Sequence, residues 1–218
     1  MRKLIVFDLD GTLLDTLSDL AETCNYLLRV LGFPMHEKEA YRHFVGDGIK
    51  VLMRRILPEE YREDEAVRTK AGELFATHYA AHAQDSTAPY PGVIDMLDAL
   101  EERGIASAVY SNKPHVNVGP LVRHYFGRRI ALAFGKREGY APKPDTATVK
   151  EILERFGAAP AQCLYAGDSG VDMRTARAAG IYAIGVSWGF RTKEELLEQG
   201  ADVIIDKPEE ILKIAIDF

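Results

Sequence analysis

Asp8 and Asp10 flank a single leucine at the end of the apolar run Leu4–Phe7, and Gly11-Thr12 follows at once. Ser111-Asn112-Lys113-Pro114 ends a second apolar run, and Gly167-Asp168-Ser169, with Asp172 a helical turn further on, ends another. Lys143 stands apart between Pro142 and Pro144. Carboxylates, a lysine and small hydroxyl or amide side chains are the groups that bind phosphoryl oxygens and hard cations. Asp8 and Asp168, if brought side by side, would repel unless a cation bridged them. Mg²⁺ suits that place, since it takes an octahedron of hard oxygens, usually one or two carboxylates with waters and a substrate phosphate. Such a metal also screens an acidic group from an anionic substrate. Lys143, stiffened by its flanking prolines, supplies a fixed positive charge for phosphoryl oxygens. Ser111 and Asn112 fall where a strand is expected to give way to a helix, so side chains and backbone N–H groups are on offer to phosphate. Gly11 lets the chain turn sharply beside Asp8.

Each of these residues taken singly has an ordinary explanation. An aspartate after a strand commonly caps a helix or makes a turn, and a lone lysine is usually a solvated surface group. Their joint placement is what counts. Short apolar runs at Leu4–Phe7, Ile105–Tyr110, Ile130–Phe134, Cys163–Ala166, Ala183–Val186 and Val203–Ile205 predict buried strands. Amphipathic segments lie between most of them: Pro91–Arg103, Asp145–Phe156, Val171–Ala179 and Thr192–Gln199, each followed by a glycine that stops a helix. Strands alternating with helices predict an α/β fold, a Rossmann-like parallel sheet covered by helices on both faces. In such a sheet ligands bind beyond the carboxyl ends of the strands, where these polar clusters would meet.

One stretch breaks the alternation. Leu17, Leu20, Ala21, Cys24, Leu27, Leu28 and Leu31 recur at helical spacing, and further helical patterns run over 37–45, 49–57 and 63–83. The expected organisation is therefore an α/β core of residues 1–15 and 86–218, with an inserted all-helical cap domain over 16–85. Bulk composition fits a globular protein: 47% hydrophobic and 28% charged residues in 218, with a net charge of −6. That charge argues against a nucleic-acid partner. The absence of a long apolar run argues against a membrane span and for a cytoplasmic protein. Cys24 and Cys163 sit in apolar patterns and read as buried thiols.

At this point the motifs resemble those of the haloacid dehalogenase superfamily. Asp8-Leu9-Asp10-Gly11-Thr12-Leu13 looks like its first motif, and Ser111, Lys143 and Gly167-Asp168-Ser169-x-x-Asp172 match the other three in order. The resemblance implies a Mg²⁺-dependent hydrolase of a small phosphorylated metabolite, acting through an aspartyl-phosphate on Asp8. It gives Asp10 the part of general acid and base. It places the metal on the Asp8 side chain, the Asp10 carbonyl and the Asp168 carboxylate, with Ser169 and Asp172 behind them. Thr12, Ser111, Asn112 and Lys143 would hold the phosphoryl group. Asp10 argues against dehalogenation, because halide departure needs no proton. Within the superfamily the chain is most similar to phosphoglycolate phosphatases, through Asn112-Lys113-Pro114, Gly46-Asp47-Gly48 and the Asp168–Gly180 stretch. Phosphosugar mutases, pyrophosphatases and phosphonoacetaldehyde hydrolases share many of these features, and a non-catalytic phospho-acceptor switch fits Asp10 poorly.

In the expected cap, Gly46 and Gly48 should make a tight turn that could reach the active site and bring Lys50 or Arg54 toward the substrate's far end. His78 and His82, four apart, read as packing or solvated residues rather than metal ligands. A dinucleotide-binding domain is disfavoured, since no G-x-G-x-x-G follows the first strand.

Overall fold

Apolar side chains on both faces of the short strands drive them into the interior of one sheet. The computed structural model describes residues 3–217. Its strands are β1 (Leu4–Phe7), β2 (Leu14–Asp15), β3 (Ala88–Pro89), β4 (Ala106–Pro114), β5 (Leu132–Lys136), β6 (Cys163–Gly167), β7 (Tyr182–Val186) and β8 (Val203–Ile205). Six of them form a parallel sheet in the order β5-β4-β1-β6-β7-β8. The period of two along β1 sends Ile5 and Phe7 into one hydrophobic cluster and Leu4 and Val6 into another. Helices α5 (Val93–Glu102), α6 (His115–Phe126) and α10 (Glu210–Asp217) cover the first face, through Leu97, Leu100, Leu121, Phe126 and Ile211. On the other face lie α7 (Ala147–Phe156), α8 (Gly170–Ala178) and α9 (Lys193–Glu198), through Ile152, Met173 and Leu196.

Between β2 and β3 run α1 (Leu17–Val30), α2 (Tyr41–Phe44), α3 (Ile49–Ile56) and α4 (Glu65–His82). They bury a cluster of their own, in which Cys24, Leu27, Leu28, Tyr41, Ile56 and Tyr79 are all but inaccessible. Phe190, from the loop after β7 and so from outside this segment, joins them. The helix expected over 37–45 is instead a 3₁₀ turn at Lys38–Ala40 followed by the single turn of α2. Gly119 and Pro120 interrupt the helical pattern of α6, yet its Val118, Leu121, Val122 and Phe126 face the sheet as one stripe.

The helical segment leaves and rejoins the sheet through a small antiparallel ribbon, with Leu14 opposite Pro89 and Asp15 opposite Ala88. Asp19, buried at the start of α1, reinforces that junction. Its carboxylate accepts the Ser86 and Thr87 backbone N–H groups at 2.9 Å each and the Thr87 hydroxyl at 2.7 Å. Among the described residues no helix is long and apolar enough to cross a membrane.

Candidate active site

β1, β4 and β6 are neighbours in the sheet, so the residues that follow them emerge together at its carboxyl edge. Asp8 follows β1 directly and Asp168 follows β6. Asp8, Asp168 and Asp172 are all buried and offer oxygens within 4.8 Å of one another. Lys143 reaches into this group from the loop before α7. Its Nζ lies 2.8 Å from Asp8 Oδ1 and donates to Asp172 Oδ1 at 2.7 Å. Asp172 also accepts the Ser169 N–H at 3.2 Å, the Ser169 hydroxyl, and the Tyr165 hydroxyl at 3.3 Å. Asp168 is gripped at both oxygens: Oδ1 by the Thr12 hydroxyl at 3.1 Å and Oδ2 by the Phe190 N–H at 2.8 Å. Gly11, with φ +84°, leaves the room this packing needs, because a Cβ there would lie 2.2 Å from Asp168 Oδ2.

The charge balance of this cluster is unfavourable as it stands. Burial, then Asp172 and Asp168, push the Asp8 carboxyl well above its usual range, although Lys143 pulls the other way. Asp168 is raised to about 7, by burial first and Asp172 next, against the Phe190 and Thr12 hydrogen bonds. Burial alone would lower Lys143, but Asp172 and Asp8 override it and hold the ammonium firmly protonated. Three buried carboxylates thus face one cation. A hard divalent ion fits the donor set, since it would relieve that repulsion through oxygen ligands alone.

Asp10 stands differently. Its two oxygens accept from Lys113 Nζ at 2.9 and 2.8 Å, and that ammonium also lies 4.7 Å from the centre of the Tyr79 ring on α4. Asn112 makes a second bridge between elements: Oδ1 accepts the Lys143 N–H at 2.8 Å, and Nδ2 donates to the Gly46 carbonyl at 3.1 Å. Beside these residues is a cavity of about 650 Å³ of non-atom space, its open mouth included. Asp8, Asp10, Ser111, Asn112, Lys113, Asp168 and Ser169 line its floor, and Arg191 its edge. Leu20, Val45, Gly46, Gly48, Ile49, Leu52, Phe75 and Tyr79 of the helical segment line most of the remainder, with Phe190.

The structure brings together Asp8, Asp10, Ser111, Asn112, Lys143, Asp168, Ser169 and Asp172, and it sets Gly46 and Gly48 over them. Three placements differ from expectation. The Thr12 hydroxyl is spent on Asp168 and does not line the cavity. Ser111 and Asn112 lie inside β4, which continues irregularly to Pro114 rather than giving way to a helix at Ser111. Lys50 and Arg54 do not reach the cavity: both are exposed, Lys50 on the rim of a separate surface pocket with Glu65 and Arg68, and Arg54 paired with Glu63. A helix places residues one turn apart on the same face, and here Ile49 and Leu52 occupy the face that looks inward. Lys113 and Arg191 line the cavity; Lys113 falls in the Asn112-Lys113-Pro114 motif but the sequence assigns it no role, and Arg191 does not stand out there by type or spacing. His78 and His82 stack on each other at 4.3 Å, and His78 on Tyr26 at 4.1 Å.

The family model for haloacid dehalogenase-like hydrolases matches residues 5–186 of the chain. The phosphoglycolate phosphatase of Pseudomonas putida strain KT2440 is 35% identical over 210 residues, covering 94% of this chain and 77% of its own length. That of Agrobacterium fabrum is also 35% identical, over 94% of this chain and 89% of its own. Among solved structures, a proposed phosphoglycolate phosphatase from Lactobacillus delbrueckii subsp. bulgaricus superposes with a TM-score of 0.93 at 32% identity, over 99% of both chains.

Proposed function

We propose that this chain, which belongs to the haloacid dehalogenase-like hydrolase family, hydrolyses a small phosphomonoester through an aspartyl-phosphate on Asp8. The observation that carries the proposal is the meeting of Asp8 and Lys143 with the carboxylates of Asp168 and Asp172, beside a cavity whose floor Asp8 and Asp168 line. A carboxylate held against an ammonium at 2.8 Å is oriented and kept available as a nucleophile. Phosphoglycolate, or an equally small phosphorylated acid, is the proposed substrate class, in keeping with the activity named for its relatives.

In the first step an Asp8 oxygen bonds to phosphorus while the bond from phosphorus to the leaving alcohol breaks, and Asp10 gives that oxygen a proton. In the second, water attacks phosphorus and loses a proton to Asp10. The bond from phosphorus to Asp8 then breaks, and inorganic phosphate leaves. Lys143, Ser111 and Asn112 steady the phosphoryl oxygens throughout. The Asp8 side chain, the Asp10 carbonyl and the Asp168 carboxylate would hold Mg²⁺, with Asp172 and Ser169 supporting them. The ion supplies charge neutralisation for the approach of one anion to another. Residues 16–85 would serve as a cap over a core of 1–15 and 86–218, closing the cavity with their apolar side chains.

Phosphate release across a panel of small phosphoesters, with and without Mg²⁺, tests this directly. Turnover should require the metal and favour short phosphorylated acids. Asp8→Asn should lose turnover of every substrate while its circular dichroism stays native. Activity of that variant near the wild-type level would remove Asp8 as nucleophile. Interconversion of hexose 1-phosphates without phosphate release would point to a mutase instead.

A further inference from the structure

We infer that residues 187–191, between β7 and α9, form a strap through which the helical segment sets the position of Asp168 and hence the cation affinity of the site, with Phe190 and Arg42 as its positioning residues. The inference rests on the proposed role of Asp168 as a cation ligand.

Each link in the strap is short. The Phe190 N–H donates to Asp168 Oδ2 at 2.8 Å, while the Phe190 ring is buried in the core of the helical segment. One residue earlier, the Gly189 carbonyl accepts from Arg42 Nη1 of α2 at 2.8 Å. One residue later, Arg191 Nη2 donates to the Val45 carbonyl at 2.8 Å. The Trp188 indole N–H donates to the Thr12 carbonyl at 3.0 Å, and the hydroxyl of that same threonine holds the other oxygen of Asp168. Both oxygens of Asp168 are thus fixed by groups belonging to the strap or held by it. The backbone also bears directly on the carboxylate, since a Cβ on Gly189 would lie 2.2 Å from Asp168 Cβ.

Moving the helical segment draws on the Phe190 ring and the Gly189 carbonyl, and the N–H between them must follow. Asp168 then loses a donor that orients its oxygen. Asp8 and Asp172 are held otherwise, by Lys143 from within the sheet domain's own loops. Partners that orient a metal-binding carboxylate commonly change affinity by about 10–100-fold when removed. Coupling of this kind is reciprocal, so a bound cation should also favour the seated helical segment.

The single tryptophan of the chain, Trp188, lies in the strap and reports on it. Mg²⁺ alone would be titrated into the full-length protein without substrate, followed by Trp188 fluorescence and by calorimetry. Arg42→Gln and Phe190→Ala should each weaken binding about tenfold, and Phe190→Leu should recover most of the loss. Glu39→Gln removes the other partner of Arg42, at 2.7 Å, and should leave affinity unchanged. A merely structural Phe190 would lower the melting temperature without changing Mg²⁺ affinity. Equal affinity in the wild type, Arg42→Gln and natively folded Phe190→Ala overturns the strap and leaves the phosphatase proposal standing. Failure of the wild type to bind Mg²⁺ overturns the cation role of Asp168 and the strap with it. Arg42 is partly exposed, so its variant carries the test if Phe190→Ala does not fold.

Discussion

Asp8 and Asp10 are separated by Leu9 alone, yet each has its own ammonium: Lys143 for the first and Lys113 for the second. Burial alone would lower the affinity of Lys113 for its proton, but Asp10 and then Tyr79 more than offset it, and the side chain stays cationic. Lys113 is therefore expected to orient Asp10 for proton transfer. Lys113→Met should reduce kcat about 10–100-fold on alkyl phosphates, no more than the smallest effect typical of a positioned acid or base, since Asp10 itself remains. The loss should be smaller with p-nitrophenyl phosphate, whose leaving group needs no proton, and Lys113→Arg should restore part of it. Steady-state kinetics on the two substrate types decides this. An equal loss on both would make Lys113 a general structural support. The aspartates were legible in the sequence because two of them close an apolar run together with a glycine. The pairing of Lys113 was not, because its partner lies 103 positions away and a lysine by itself signifies solvent.

Among the elements, the loop that carries Lys143 must be held still although no strand or helix includes it. Arg137, just after β5, pairs with Glu151 of α7, which also accepts from Arg155 at 2.8 Å. The hydrogen bond from Arg137, with help from Tyr140 and Arg155, draws the Glu151 carboxyl down to about 2. A carboxylate depressed in the folded state stabilises above its unfolded pKa, and that contribution is lost as pH falls. Glu151→Gln should cost about 1 kcal/mol near neutral pH, and the gap from wild type should close between pH 4.5 and 2. Urea denaturation at a series of pH values measures it; a gap that persists unchanged to the acid end would exclude the ion pair as its source. Sequence patterns located every strand of the main sheet, since each is a short apolar run. They placed a helix start at Ser111-Asn112, a few residues ahead of α6, but did not delimit that helix, because Gly119 and Pro120 mask its stripe; they gave no ribbon at β2 and β3, whose two-residue strands carry no period at all.

At the scale of the molecule, the sheet and the helical segment bury separate clusters, and Phe190, sent from the loop after β7, belongs to the helical one. Leu28, fully buried in the helical cluster, is expected to cost about 3 kcal/mol when cut to alanine. Helical circular dichroism should then fall in two steps, the first at lower urea than the unfolding of the sheet. A single coincident transition would mean that the two clusters unfold as one unit. Strand order could not be read from the sequence. It depends on pairings such as Leu4 with both Ala106 and Cys163, which no local pattern encodes. The β2–β3 ribbon, clasped by Asp19, has a further consequence. Because the chain departs and returns at one spot, lengthening the excursion between those points is cheap: doubling a flexible loop adds only about 0.6 kcal/mol of closure entropy. Descendants of this gene can therefore enlarge, trim or exchange the roof of the cavity without displacing the aspartates beneath it.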